Sequence, residues 1–325
     1  MGGSLIVAGR GRGELGGFVL RRLAAVLPVL LAALTLSFAM IHLVPGDPVR
    51  TMLGAGGPPT LEQEQALRHE LGLDRPIPAQ YLDFLGNAVL GDFGRSINTG
   101  APVADLIGAA APGSAALAVT ALALGCLLGA GGALLAEITR WRPLRTVLNA
   151  LPVLAMSMPG YWVAILMIQI FSFQLGWFPA TGQDGFAALV LPAATMALPA
   201  AGVIAQVLAT GLRQAGAESY VLTARSKGAG PWRVQFRHTL RNASLPTITV
   251  VGTTVGNLLA AAVVAETVFG RQGLGRLTVT AITTHDLPVL QGMVALLGVL
   301  YVAVNLVVDV VYAYVDPRVT SGRRE

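Results

Sequence analysis

The sequence predicts an all-α membrane protein with six membrane-spanning helices and a small polar subdomain outside the membrane, between the first two spans. Hydrophobic residues make up 54% of the 325-residue chain, charged residues only 12%, and the mean hydropathy is +0.66. A soluble domain is about one quarter charged. Six segments are apolar over the roughly 20 residues that a helix needs to cross a bilayer. They cover residues 19–43, 114–136, 146–173, 186–211, 246–268 and 289–315.

The distribution of basic residues predicts how these spans are oriented. If both termini lie on the inner side, 16 of the 22 lysines and arginines flank the inner ends of the spans. The first outer loop instead carries eight acidic residues between Asp47 and Asp105. Because an excess of Lys and Arg marks the cytosolic side of a membrane protein, residues 1–18 and 316–325 are predicted to lie inside.

The first span is predicted to stay attached to the mature chain. Arginines precede it, as they do in a secretory signal. However, residues 19–43 exceed the roughly 7–15 apolar residues of a signal peptide, and no small-residue cleavage site follows.

The stretch 44–112 is too polar to lie in lipid and is predicted to form the outer subdomain. It opens with VPGDP, whose residues 45–48 are typical of a turn that ends the first helix. Over residues 61–71, leucines and an alanine alternate with glutamates and an arginine at helical spacing, which predicts an amphipathic helix.

The remaining spans form a predicted five-helix core over residues 113–315. Glycines lie four residues apart at Gly125 and Gly129 and again at Gly252 and Gly256. This spacing lets the backbones of two membrane helices touch, so both pairs are predicted packing sites.

Two prolines, Pro152 and Pro159, interrupt the third span, with Met156 and Met158 between them. Proline frees backbone carbonyls and kinks a span. We expect a static kink, and a hinge or a cavity wall remains the alternative. The methionines are interpreted first as gap fillers and only second as solute contacts.

The inner loop at 212–245 is a polar, basic island between apolar spans. Residues 220–227 suit a short helix, the run 228–230 (Gly-Ala-Gly) breaks it, and Pro231 suits the first turn of a second helix. Two short helices at a bend form an elbow. The same basic residues would also serve simply to hold the loop on the inner side, which is the alternative interpretation.

One face of this elbow is apolar. Tyr220 and Ala224 are one turn apart, and Trp232, Phe236 and Leu240 follow at spacings of four. We expect this stripe to hold the elbow against the helix bundle. The opposite side, with Arg225 and Lys227, would then face a partner.

No catalytic, metal or nucleotide motif is present in the sequence. Lys227 is the only lysine, and Ser226 precedes it, so the Gly-Lys-Ser/Thr of a phosphate-binding loop is missing. The pair His69-Glu70 begins a zinc-protease pattern, but Leu73 stands where the second histidine is needed. A single cysteine forms no intramolecular disulfide. The basic residues adjoin the spans rather than forming a nucleic-acid-binding domain. The chain is therefore predicted to be no enzyme and to hold no cofactor or metal.

Carboxylates near the bilayer midplane would indicate coupling to protons or sodium. Here Glu137 and Glu266 lie at the ends of predicted spans, and Asp309 is about two turns from the inner end of the last one. Asp309 is interpreted as a packing or interface residue, because Asn305 is one turn away. A self-sufficient secondary carrier or channel is retained as the alternative class.

The elbow resembles the EAA loop of ABC-importer permeases. Against the general pattern, only Ala224, Gly228 and Leu240 match, but TARSKG (223–228) followed by HTLRN (238–242) is similar to the form in the dipeptide/oligopeptide permease family. Further blocks of that family follow in order. They are LDRP (73–76), GDFG (91–94), GLGRL (273–277), HDLPVLQG (285–292) and NLVVDVVYAYVDPR (305–318). The resemblance extends from the first span to Arg318.

This resemblance implies the type I importer permease fold and a coupling role for the elbow. The expected contacts to an ATPase subunit are Tyr220, Thr223, Ala224, Arg225, Lys227, Gly228, Ala229, Gly230 and Pro231. Closure of the ATPases would push on the elbow and tilt the spans. The implied location is the bacterial or archaeal cytoplasmic membrane, with both termini cytosolic.

The resemblance also implies partners and a substrate class. The partners are a second homologous permease, two ATP-binding subunits or domains that hold ATP and magnesium, and an extracytoplasmic solute-binding protein. The outer subdomain would contact this solute-binding protein. The alternative is that the subdomain is only a lid that covers the helix bundle. The expected solutes are di- or oligopeptides. Nickel, glutathione and oligosaccharides are the alternatives, because similar permeases import them.

Overall fold

The computed structural model describes residues 27–39, 60–70 and 74–315, and helices dominate all three ranges. An isolated β-bridge joins Arg95 and Pro102. In chain order the helices are α1 Leu27–Ala39, α2 Leu61–Glu70, α3 Ile77–Val89, α4 Val103–Ile138, α5 Arg142–Ser157, α6 Gly160–Met167, α7 Ala187–Gly216, α8 Ser219–Ser226, α9 Pro231–Val234, α10 Leu240–Val268, α11 Leu274–Thr283 and α12 Leu287–Val315. Two π-helical turns extend α6 and α9, at Ile168–Gln174 and Gln235–Thr239. The predicted all-α class is confirmed.

Four helices of the described part are long and apolar enough to cross a membrane: Val103–Ile138, Ala187–Gly216, Leu240–Val268 and Leu287–Val304. The bent pair of α5 with α6 and its π-helical turn adds a fifth. Of the first predicted span only α1 is described, and the segments 1–18, 45–48 and 316–325 lie outside the described residues.

The second span begins earlier than predicted. Helix α4 starts at Val103 rather than at residue 114 and runs for 36 residues with Pro112 inside it. At about 1.5 Å per residue it is roughly 54 Å long, which exceeds a hydrocarbon core of about 30 Å.

The third predicted span is a bent pair of helices. It breaks between Ser157 and Gly160, and the two halves are bent by 109°. Pro159 causes the break: a proline disfavours helical geometry in the residue before it, and Met158 is extended with φ −84° and ψ 129°. Pro152 remains within α5. The predicted kink is thus located at Pro159, whereas its use as a hinge stays a prediction.

The described residues divide into two compact units, 112–276 with 304–315, and 27–39, 60–70 and 74–111 with 277–303. In the first of these, α7 is the most buried span, and its neighbours approach it at glycines. A Cβ on Gly129 of α4 would lie 2.6 Å from the carbonyl oxygen of Ala201, and one on Gly125 would lie 3.1 Å from the Cβ of Ala200. The predicted close approach at Gly125 and Gly129 is confirmed.

Two glycines of α7 itself lie at its contacts with α5 and α10. A Cβ on Gly202 would lie 2.7 Å from the carbonyl oxygen of Pro152, and one on Gly211 would lie 3.1 Å from the Cα of Ala243 on α10. The second predicted pair behaves differently. Gly252 is buried, but a Cβ on Gly256 would meet nothing within 4 Å, so the predicted contact at Gly256 is wrong for the described part of the chain.

In the other unit, the predicted amphipathic helix is α2, and a capping box begins it. The backbone N–H of Gln63 donates to the Thr60 hydroxyl, and the backbone N–H of Thr60 donates to Oε1 of Gln63 at 3.1 Å. Helix α3 packs on α1 through rings, with Phe38 at 5.3 Å from Tyr81 and 5.7 Å from Phe84.

We predict that Gly129→Ala destabilises the protein by about 1–3 kcal/mol, because the added methyl group overpacks the contact between α4 and α7. Thermal unfolding in detergent measures the effect. Gly132→Ala is the matched control on the same helix, since its Cβ would meet nothing within 4 Å. Equal effects of the two changes would contradict the packing argument.

Candidate functional site

The elbow, residues 218–240, has the local structure that its sequence predicts. Helix α8 ends in a Schellman motif: the backbone N–H of Ala229 donates to the carbonyl of Ala224 at 3.1 Å, across Gly228 with φ +83°. A left-handed conformation of this kind suits glycine, which has no Cβ to clash with the backbone. The predicted break at Gly228 and the predicted helix start at Pro231 are confirmed.

The second arm of the elbow continues into a span without interruption. Helix α9 passes through the π-helical turn Gln235–Thr239 directly into α10. The Thr239 hydroxyl donates to the carbonyl of Gln235 at 2.9 Å, while Nε2 of Gln235 is buried without a hydrogen-bond partner among the described residues. At the other end of the elbow, helix α8 follows α7 after only two residues. Both adjoining spans are therefore closely connected to it.

The predicted apolar stripe is wrong for Trp232 and Phe236, which do not pack against the helix bundle. Trp232 is 57% exposed and Phe236 is 49% exposed, and their rings stack on each other at 5.7 Å with an angle of 3°. The side chains that bury instead are Val221, Val234 and Thr239. The reason is the π-helical turn between this pair and Leu240, whose i→i+5 hydrogen bonds shift Leu240 off the face that Trp232 and Phe236 share. Leu240 packs against the buried cluster that contains Leu212 and Ala243, while the two aromatic rings stay exposed. Sequence periodicity offers no signal for such a turn.

Most predicted contact residues of the elbow lie on its accessible surface. Thr223, Lys227, Gly228 and Gly230 are exposed, and Ala224 and Ala229 are half-buried. Tyr220 is partly exposed and accepts a hydrogen bond from Nδ2 of Asn242 at 2.9 Å. The side chains of Arg225 and Pro231 lie outside the described part. The exposed basic side chains Lys227, Arg233 and Arg237 make this surface cationic.

The buried carboxylate Glu266 binds backbone and hydroxyl donors rather than a free ion. Its Oε2 accepts backbone N–H bonds from Gly275 at 2.8 Å and Arg276 at 3.2 Å, and its Oε1 accepts the Ser114 hydroxyl. These backbone groups belong to the first turn of α11, where a negative charge is stabilised by the helix dipole. Glycines leave room for the carboxylate, since a Cβ on Gly273 would clash with it.

A second buried carboxylate, Asp286, has the same kind of role in the other unit. It accepts hydrogen bonds from the Ser96 hydroxyl, from the backbone of Ile97 at 3.2 Å and from Nδ2 of Asn98 at 3.1 Å. It thereby holds the loop before α4 at the start of α12. The side chains of Asn305 and Asp309 lie outside the described residues.

No group of three or more His, Cys, Asp or Glu residues in the described part of the chain is placed to hold a metal ion. His69, the histidine of the protease-like pattern, hydrogen-bonds Asp74 at 2.7 Å, and this bond holds the pKa of Asp74 below its usual range.

Comparison with known proteins gives two family matches. The family described as "Binding-protein-dependent transport system inner membrane component" matches residues 122–321. Its N-terminal counterpart, described as "Binding-prot-dependent transport system membrane comp, N-term", matches residues 15–117.

Individual relatives match over nearly the whole chain. The glutathione transport system permease protein GsiC of Escherichia coli strain K12 is 34% identical over 302 residues, which cover 93% of this chain and 98% of that protein. A putative peptide transport system permease protein of Brucella abortus is 37% identical over 309 residues, with the same coverage of both chains.

A solved structure shares the fold. A chain of the structure titled "Inward facing conformations of the MetNI methionine ABC transporter" matches with a TM-score of 0.56 at 18% identity. The match covers 65% of this chain and 96% of that chain.

We predict that Glu266→Gln destabilises the protein by about 1.5–3 kcal/mol, because it replaces a charged acceptor by an amide whose NH₂ faces other donors. Glu137→Gln is the control. Its carboxylate is 3.9 Å from Arg145 in a partly exposed ion pair, which is worth about 0–1 kcal/mol. Thermal unfolding of both variants measures the difference, and an unchanged Glu266→Gln protein would refute the capping role.

Proposed function

Because this chain belongs to the family of binding-protein-dependent transport system inner membrane components, we propose that its elbow is the surface through which ATP-binding subunits drive it. The chain is a permease subunit of an ATP-binding-cassette importer. In this family ATP hydrolysis belongs to partner subunits.

The observation that carries the proposal is the stacked pair of Trp232 and Phe236. Two large aromatic rings at the inner end of a bundle remain about half exposed, within a cationic surface. Aromatic residues that bury in a partner's pocket dominate the energy of protein interfaces. The pair therefore has the chemistry of an anchor that enters a groove on an ATPase subunit. The exposed residues 223–230 surround it as the rest of the contact.

The connections of the elbow support transmission of force to the spans. Helix α8 follows α7 after two residues, and α9 continues directly into α10. The two spans touch where Gly211 meets Ala243, close to the elbow. A displacement of the elbow would therefore move α7 and α10 together, rather than be absorbed by a flexible loop.

The proposed assembly contains a second homologous permease, two ATP-binding subunits or domains and a solute-binding protein. ATP and magnesium would be held by the ATP-binding partners. We place the elbow and both termini in the cytosol, since most basic residues flank these segments and Lys and Arg favour that side. The outer subdomain at 44–112 would lie on the opposite side of the membrane, where the solute-binding protein delivers its cargo.

We propose peptides as the solute class. The two relatives are named for glutathione, itself a tripeptide, and for peptides. Both names favour peptide-like solutes over nickel or oligosaccharides. A self-sufficient secondary carrier finds little support, because the buried carboxylates Glu266 and Asp286 are engaged by structural hydrogen bonds.

We predict that Trp232→Ala weakens association with the ATPase subunits about tenfold or more, as the loss of a central aromatic anchor does. The partners are first identified by co-purification of the tagged chain from native membranes, and their affinity is then measured for the reconstituted permease. Trp141→Ala is the matched control, because Trp141 is an exposed tryptophan of another predicted inner loop. Equal loss in both variants would disfavour a specific docking site.

We also predict that Gly228→Pro abolishes solute-stimulated ATP hydrolysis of the complex while membrane insertion remains normal. Proline locks φ near −65° and is incompatible with the φ of +83° at this position. Gly216→Ala, outside the proposed contact surface, should retain stimulated hydrolysis, since its Cβ would meet nothing within 4 Å. Normal solute-stimulated ATP hydrolysis in the Gly228→Pro complex would refute the proposed coupling role of the elbow.

A further inference from the structure

Helix α10 carries a polar side chain at the centre of a membrane span. Asn257 lies eleven residues from each end of the apolar segment 246–268. At a rise of about 1.5 Å per residue this places it roughly 17 Å from either end of that segment, near the bilayer midplane.

The amide of Asn257 is exposed and has no hydrogen-bond partner among the residues that the structure describes. An amide with unmade hydrogen bonds is costly in hydrocarbon, because lipid tails offer neither donors nor acceptors. This side chain therefore does not face lipid in the working protein. It requires water or another polar group.

The surrounding face of α10 has the same character. Spacings of three and four place Thr253, Ala260, Val264 and Thr267 on the side of Asn257, and all of them are exposed. Beside Asn257, Gly256 leaves open space where its Cβ would be. No residue of this face is charged, and only Val264 is a large apolar residue. Small size and neutral polarity are the common properties of the face.

Helix α4 provides a contrast within the same unit. Its exposed mid-span side chains are all aliphatic: three alanines, and the larger Val119, Leu127 and Leu128, of which Leu127 is 71% exposed. Such side chains are compatible with lipid at no cost. The two spans therefore expose faces suited to two different surroundings, hydrocarbon for α4 and a polar medium for α10.

We propose that the Asn257 face of α10 lines the hydrated path of the solute, and that the Asn257 amide hydrogen-bonds neutral polar groups such as peptide bonds. This inference rests on the proposed function for its substrate class. A primary amide presents both donors and an acceptor, which match the C=O and N–H of a peptide group. A neutral face provides no carboxylate or thiolate to retain a metal cation.

Thiol accessibility tests the position of this face. Cys126 is the only cysteine, so Cys126→Ser gives a cysteine-free background in one step. Asn257→Cys, Leu127→Cys and Leu258→Cys are then introduced singly into the complete complex in proteoliposomes. A membrane-impermeant methanethiosulfonate should modify the Asn257→Cys protein on the order of tenfold or more faster than the other two, because the thiolate that reacts requires a hydrated site.

The two controls separate the possible surroundings. Leu127 is exposed on an apolar face, whereas Leu258 adjoins Asn257 and is only 2% exposed. Slow modification of Asn257→Cys, equal to that of these controls, would overturn the inference. Oxidative cross-linking of Asn257→Cys to the second permease in place of modification would also overturn it, since the face would then be a permease interface.

Uptake of radiolabelled trialanine tests the chemical role. Asn257→Leu should lower the uptake about fivefold through loss of a hydrogen bond, and Asn257→Ser should retain more of it. Unchanged uptake by Asn257→Leu would refute the solute contact. If the wild-type complex hydrolyses ATP but takes up no trialanine, the proposed peptide class fails, while the accessibility result still decides whether this face is hydrated.

Discussion

Close backbone contact around α7 is the interaction on which the rest of this protein depends. Helices in a bilayer gain no hydrophobic energy by leaving lipid for one another, so association depends on packing that only small residues permit. Gly125 and Gly129 bring α4 to α7, Gly202 admits α5, and Gly211 admits α10. Three neighbours are thereby held around one span. The elbow emerges from two of these four helices, so its position depends on the same contacts.

The backbone conformation of the elbow can be predicted from its sequence, whereas the exposure of its side chains and the contacts between distant residues cannot. A glycine in a left-handed conformation and a proline in a first helical turn follow from backbone sterics alone, which is why Gly228 and Pro231 were predictable. The exposure of Trp232 and Phe236 was not, because the π-helical turn changes the register without any signal in residue type. Likewise, the role of Glu266 depends on groups that the fold brings together from residue 114 and residues 273–276. Sequence spacing identifies the small-residue pairs but does not say which pair meets a neighbour within the chain.

The charged and neutral polar groups of this protein are used in different ways. Buried carboxylates stabilise helix starts and loops, where backbone N–H groups neutralise them. The mid-span polar face of α10 is instead neutral and has few internal partners. If the elbow receives its energy from ATPase partners as proposed, this separation suits the protein, because it then needs a path but no ion relay within its spans.

The π-helical turn at Gln235–Thr239 makes the direction of the aromatic pair depend on the hydrogen-bond pattern between the elbow and α10. A turn of this type holds about one residue more than an α-helical turn, and each residue of an α-helix corresponds to a rotation of about 100°. If the same residues wound as an ordinary α-helix, Trp232 would therefore rotate relative to α10 by roughly that angle without any change of sequence. Deletion of one residue would instead leave the direction of the pair nearly unchanged, because a narrower turn would then join the same two flanking segments. The direction in which the aromatic pair points is thus set by the kind of helical turn, whereas substitutions of the pair alter only its chemistry.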